Sequence, residues 1–158
     1  MENTYQLVFT APNGGQIEIH HDHLSLELAE NQFFALMLAM SGKHVKLLPY
    51  SYQTNVKNPD AEVDGRIVDF KYPARSKILH TGIQSLIKSA NYQGASVAFI
   101  YLGNPLIEQR DVKRALIAAL QTDWNSNIKE VWLLYRDLTI LELSRSEIED
   151  RSFIGKLK

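Results

Sequence analysis

The chain contains no cysteine. That excludes a disulfide scaffold, a Cys-ligated zinc site and a thiol nucleophile, and it fits a reducing compartment. Five prolines and eight glycines in 158 residues are too few for a collagenous or low-complexity chain, and no internal repeat is visible. No apolar run approaches the roughly 20 residues of a membrane-spanning helix. The N-terminus lacks the basic-then-apolar pattern of a leader segment. Basic residues are missing from positions 1–42, which hold Glu2, Glu18, Asp22, Glu27 and Glu30 but no Lys or Arg. What remains is ordinary: 45% apolar and 22% charged residues, the balance of a soluble globular protein. The length suits one domain over residues 1–158, large enough to bury a core.

Net charge is −1, which by itself argues against a polyanionic ligand. Its distribution argues otherwise. Residues 43–93 carry Lys43, Lys46, Lys57, Arg66, Lys71, Arg75, Lys77 and Lys88 against Asp60, Glu62, Asp64 and Asp69. A basic zone around an acidic centre suits a phosphate-backbone ligand. Ordinary surface charge is the alternative.

Along the chain, Gln6–Thr10 and Gln16–His20 read as strands around a turn at Asn13-Gly14-Gly15. Leu24 to Met40 reads as a helix, with Asp22 or Ser25 as candidate N-caps and Gly42 as the stop. Val45–Tyr50 reads as a strand, and Tyr52–Asn58 as a polar loop. Ser76 is placed to cap a helix running to Tyr92 and ended by Gly94. Ala95–Leu102 is a continuous apolar run, expected to be a buried central strand. A helix is expected from Ile107 or Asp111 to Thr122, and a second hairpin from Val131–Tyr135 and Thr139–Leu143 around Arg136-Asp137. The charged tail is expected to fray, with Phe153 and Ile154 able to dock a short helix.

The most informative stretch is Pro59-Asp60-Ala61-Glu62-Val63-Asp64-Gly65-Arg66-Ile67-Val68-Asp69-Phe70-Lys71. Asp64-Gly65 is a strong type I′ hairpin signal, because both central residues need φ > 0. Counting outward pairs Val63 with Arg66, Glu62 with Ile67, Ala61 with Val68 and Asp60 with Asp69. One face then carries Asp60, Glu62, Ile67, Asp69 and Lys71, and the other carries Ala61, Val63, Val68 and Phe70. Opposed like charges destabilise a sheet. A hard divalent cation held by carboxylate oxygens would offset them, and Lys71 would supply part of that compensation. The alternative is a solvated polar face on an antiparallel sheet.

Pro59-Asp60 followed by Asp69-Phe70-Lys71 resembles the signature of the PD-(D/E)XK nuclease superfamily. The order helix, three strands, helix, strand from about Leu24 to Leu102 is similar to its core. The resemblance implies an α/β (α+β) fold with an αβββαβ restriction-endonuclease-like core, an added helix and extra β-hairpins. It implies Mg²⁺ or Mn²⁺ held by Asp60, Asp69, the Phe70 backbone carbonyl and an acid of the first helix. Glu30 is the preferred acid, since it shares a helical face with Phe33, Phe34 and Met37; Glu27 is the second choice. Lys71 would attend the attacking water and the scissile phosphate, and Gln93 stands where a supporting polar residue can sit.

A narrower resemblance adds Gly42-Lys43-His44-Val45-Lys46-Leu47-Leu48 and Ala90-Asn91-Tyr92-Gln93. With these segments the chain, over about residues 27–102, resembles the C-terminal nuclease domains of CdiA-type contact-dependent inhibition toxins. This implies an RNase, with tRNA favoured over DNA as substrate. It also implies a cognate immunity protein, and action in the cytoplasm of a cell into which the domain is delivered. Asp64 and Glu62 are carboxylates that not every superfamily member has. Two other readings stay open. One is a metal-independent RNase using His80, on the helix beside Lys77 and Gln84; His20, His21 and His23 form a second cluster, with spacing that a surface metal could exploit. The other is a nuclease-like fold that only binds nucleic acid or protein.

Overall fold

The computed structural model describes residues 4–23, 27–75 and 78–158. The chain forms two compact units, Met1–Phe70 and Lys71–Lys158. The fold is mixed α and β. Its element order is β1 (Tyr5–Thr10), β2 (Gln16–His20), α1 (Leu28–Met40), β3 (His44–Leu47), β4 (Ala61–Val63), β5 (Arg66–Lys71), α2 (His80–Tyr92), β6 (Val97–Leu102), α3 (Gln109–Ala119), β7 (Glu130–Tyr135), β8 (Ile140–Ser144) and α4 (Arg145–Glu149), then a 3-10 turn at Ser152–Lys156. From α1 to β6 this is the αβββαβ order expected from the sequence.

In the first unit the strand order is β1-β2-β3-β4-β5. The β1–β2 hairpin is antiparallel, with a bulge between Leu7 and Phe9. β2 and β3 are parallel, a pairing that needs a crossover, and α1 supplies it. Its buried face is Asn31, Phe34, Ala35, Leu38 and Ala39, the spacing of one helical stripe. Glu27 stands at the N-cap, without a side-chain cap bond. Asp22 therefore does not cap this helix. Ser25, and the helix start expected from Leu24, lie outside the described residues. Gly42, at φ +94, closes the helix as expected. The C-terminal turn of α1 is held on the β1–β2 turn, where Asn13 Nδ2 donates to the Met40 carbonyl at 2.8 Å.

The β4–β5 hairpin has the expected register, with Val63 opposite Arg66, Glu62 opposite Ile67 and Ala61 opposite Val68. Asp64 and Gly65 sit at φ +48 and +86, as a type I′ turn requires. Ala61, Val63, Val68 and Phe70 are all buried, and Phe70 stacks on Phe34 at 5.0 Å. Strand β3 is shorter than expected, ending at Leu47. Pro49, two residues on, lacks the N–H that would continue it.

In the second unit α2 spans His80–Tyr92, and Gly94 follows at φ +79. Ser76, the expected cap, lies outside the described residues. Strand β6 is buried almost throughout, as its unbroken apolar run predicts, and it pairs parallel with β7 through the α3 crossover. β7 and β8 form the second hairpin. The tail does not fray. Ser144 and Glu147 make a capping box for α4, and Ile148 and Phe153 are fully buried. Lys156 pairs with Glu147, and Gln109 Nε2 donates to the Leu157 carbonyl at 2.8 Å. Ile154 stays partly exposed.

Candidate active site

Among the described residues only two polar or charged side chains are buried, Asn31 at 4% and Asp69 at 3% exposure. Both meet Asp60. The β3–β4 pairing runs one step past β4, where the Leu48 N–H donates to the Asp60 carbonyl at 3.0 Å. That fixes the Asp60 backbone at the end of the ladder. Its carboxylate Oδ2 accepts the Phe70 N–H at 2.7 Å. Its Oδ1 accepts from Asn31 Nδ2 at 3.4 Å, and the Asp69 carboxyl lies close enough to act on it. Burial first, and then the Asp69 charge, hold the Asp60 carboxyl well above the usual carboxylate range; the Phe70 N–H acts weakly the other way. Burial leaves a carboxylate short of compensating charge. So this is no freely solvated polar face: it is two neighbouring carboxyl groups, one of them buried, whose charge a shared proton or a bound cation would offset.

Helix α1 contributes more than its acids. Asn31 lies on the buried stripe and also reaches His23, with Nδ2 3.1 Å from His23 Nε2. His23 Nδ1 lies 2.7 Å from the Leu48 carbonyl. A carbonyl only accepts, so Nδ1 carries the proton and Nε2 accepts from the Asn31 amide. The line Leu48–His23–Asn31–Asp60 therefore locks the carboxylate from behind. The same phase of the helix leaves Glu30 exposed. Partial desolvation, and then the charge of Glu27, raise the Glu30 carboxyl. Glu27, one turn before Asn31, is the helix acid whose charge reaches Asp60. Of Phe33, Phe34 and Met37, only Phe34 lies on the fully buried face, while Phe33 and Met37 are half-buried. The buried face is rotated toward Asn31.

Lys71 is the last residue of β5, two on from Asp69, so it shares that face of the strand. Its Nζ donates to Ser89 Oγ on α2 at 3.0 Å. Gln93 follows the last helical residue, and its N–H donates to the Ser89 carbonyl at 3.1 Å. His80, the metal-independent candidate, pairs through Nδ1 with Asp111 Oδ1 at 3.7 Å; Lys77 lies outside the described residues. Of the histidine cluster, His20 and His21 stack at 4.5 Å, and His21 Nε2 lies 3.4 Å from Asp22. These two and Asp22 are the three potential metal donors that converge within 4.8 Å among the described residues, at the surface. His23 points instead to Asn31.

Asn31, Ser89 and Asp111 are not singled out by the sequence reading, which names His23 only as part of the cluster with His20 and His21. Asn31 carries a usable signal, a polar residue three before Phe34 and four before Ala35 on a buried stripe. The donor set suits a hard divalent ion. Mg²⁺ binds through one or two carboxylates and keeps several waters, and Asp60 and Asp69 supply two adjacent carboxylates.

No curated protein shows significant sequence similarity to the chain. A chain of the CdiA-CT/CdiI toxin and immunity complex from Burkholderia pseudomallei has a similar structure, with a TM-score of 0.56 and 17% sequence identity over 76% of this chain and 86% of that one. The family described as the contact-dependent growth inhibition CdiA C-terminal domain matches residues 57–140, more than half of the sequence and the whole Asp60–Lys71 hairpin. The chain therefore belongs to the family of contact-dependent growth inhibition CdiA C-terminal domains.

Proposed function

We propose that this domain is a toxin nuclease of the PD-(D/E)XK type. It hydrolyses phosphodiester bonds with Mg²⁺ or Mn²⁺, and RNA, tRNA above all, is its substrate ahead of DNA. The observation that carries the reading is the close carboxyl pair Asp60–Asp69, with Asp69 buried, at the end of a hairpin whose next residues are Phe70 and Lys71. Asp60, Asp69 and the Phe70 carbonyl would hold the ion, joined by a helix acid, Glu30 or Glu27. The ion supplies a Lewis acid for the phosphate and lowers the pKa of a bound water.

This chain's own residues do the rest. Asn31 and the Phe70 N–H hold the Asp60 carboxylate in one orientation. Lys71, steadied by Ser89, orients or deprotonates the attacking water or neutralises charge in the transition state. The site of action is the cytoplasm of a cell that receives the domain.

Incubation with total tRNA and with plasmid DNA, each with Mg²⁺, Mn²⁺ or EDTA, tests the reading. Cleavage of tRNA that EDTA abolishes supports it. Cleavage that survives EDTA shifts the chemistry to His80, which its pairing with Asp111 makes the second reading. No cleavage of either substrate leaves a binding module.

The B. pseudomallei neighbour is a toxin and immunity complex. For this chain we propose an acidic immunity partner covering the basic zone of residues 43–93. Such a partner associates more slowly as salt rises. Salt-insensitive association, or a footprint wholly outside that zone, would count against it.

A further inference from the structure

The connection between β3 and β4 runs from Leu48 to Asp60, thirteen residues. That is long for a compact unit, and such loops are usually functional when ordered. This one is pinned. Asn58 Oδ1 accepts the Ser51 N–H at 2.8 Å, and Asn58 Nδ2 donates to the Ser51 carbonyl at 3.0 Å. One side chain thus closes the loop over residues 51–58. Inside it the Gln53 N–H bonds Ser51 Oγ at 3.2 Å, the Val56 N–H bonds the Gln53 carbonyl at 3.4 Å, and Asn55 takes φ +67. The Tyr50 N–H ties its approach to the Asp22 carbonyl at 2.9 Å.

This closed loop holds out an aromatic ring. Tyr52 is 84% exposed. Its contact with Tyr50 is edge-on, with centroids 4.9 Å apart at 70°, so a ring face is left to solvent. A hydrogen-bonded loop that presents a bare aromatic face gains no stability from doing so, since burying that face would stabilise the fold. The ring borders a cleft of about 720 Å³ shared with Tyr50, Val56 and Lys57, a size that takes a small ligand. Lys57 is the one charged residue between Ser51 and Asn58. The Asp22 carboxylate, which also borders the cleft, is turned to His21 at 3.4 Å. From Asn58 two residues lead to Asp60, at most about 7 Å of chain, or roughly two nucleotide rises of 3.4 Å per strand.

We propose that this loop is a subsite for an unpaired nucleotide next to the scissile phosphate. The base stacks on Tyr52, and Lys57 takes the adjoining phosphate. A π-face reads no particular base, whereas a base held in a duplex cannot offer its own face. The subsite therefore selects single-stranded segments of the substrate. This rests on the nuclease reading and adds to it where on a nucleic acid the enzyme acts.

The test is binding of a labelled single-stranded oligoribonucleotide, and of the same sequence as a duplex, to the full chain. Tyr52→Ala and Tyr52→Phe are compared with the parent in parallel with KM and kcat on tRNA. Tyr52→Ala is expected to weaken single-strand binding and raise KM about tenfold, the scale of one lost stack. Duplex binding, kcat and the melting temperature should stay as they are, and Tyr52→Phe should retain parental affinity. Lys57→Ala is expected to reduce the slope of log K against log salt by about 0.7. Parental affinity in Tyr52→Ala, or equal loss on single strand and duplex, would overturn the subsite while leaving the nuclease standing. If the parent chain neither binds nor cleaves any nucleic acid, both readings fall together.

Discussion

Asp60 and Asp69 share a problem that neither has alone. Each is an ordinary carboxyl group; placed side by side, with Asp69 buried and Asp60 largely shielded, they cannot readily both ionise without a counter-charge. The raised Asp60 carboxyl has a defined sign in stability. The folded state holds a proton that the unfolded chain releases near its ordinary value of 3.8. Between that value and the raised one the folded state binds more protons, so stability falls as pH rises. Thermal melts of the metal-free protein across that window should show the decline. In Asp69→Asn the decline should flatten, and the protein should gain on the order of 1 kcal/mol at neutral pH from relieved repulsion. Divalent ions should then stop raising its melting temperature, because that rise is mass action on the pair. Asn31 acts on the same carboxylate from the helix. Asn31→Ala leaves His23 Nε2 and Asp60 Oδ1 short of a donor, and a loss of about 1–3 kcal/mol is expected in denaturant melts. A loss under about 0.5 kcal/mol would mean that water replaces the amide. At this scale the sequence was legible where a rule counts residues, as for Ala61 against Val68. It was misleading where phase decides. Glu30 and Asn31 are neighbours in sequence but lie about 100° apart on a helix, and apolar residues on several sides of α1 blur which stripe faces inward.

The hairpin and the helix were legible as elements for different reasons. A two-residue turn leaves one register open, so Asp64-Gly65 settles the pairing of β4 and β5. The parallel pairing of β2 with β3 has no such local mark, since it depends on where α1 returns the chain. The tail holds where fraying was expected, because its charges mask Ser144-Arg145-Ser146-Glu147, a capping box in plain spacing. Two glycines separate backbone conformation from packing as causes of stability. Gly65 sits at φ +86 with open space where a methyl would stand, so Gly65→Ala carries only the left-handed strain, about 1–2 kcal/mol. Gly15 is different, because a Cβ there would stand 1.8 Å from the Ala39 carbonyl oxygen. Backbone cannot step aside as a flexible side chain can. Gly15→Ala should cost at least the upper part of the ~1–3 kcal/mol overpacking range, loosening the α1 C-terminus from the β1–β2 turn. Denaturant midpoints for the two variants check the order, and an equal loss in both would contradict the close approach of Gly15 to Ala39.

For the molecule as a whole, composition and net charge said little, while one hairpin and one element order said most. The αβββαβ sequence of elements was readable because each element carries its own periodicity and stop signal. The partner surface and the substrate were not, because a chain of net charge −1 shows a phosphate ligand only through local segregation. Family membership rests on residues 57–140, which include the hairpin but not α1. The chemistry of the helix side of the site is therefore this chain's own to demonstrate. The most direct measurement is cleavage of total tRNA with and without Mg²⁺ by the parent chain, Asp69→Asn and Lys71→Ala, each first shown to be folded by circular dichroism and thermal melting. Cleavage by the parent that needs the ion, and is lost by at least about a hundredfold in both folded variants, is expected from a carboxylate-held metal and a lysine at the phosphate. Folded Asp69→Asn that still cleaves, and still gains melting temperature from Mg²⁺, would mean that the paired carboxylates are not the active site.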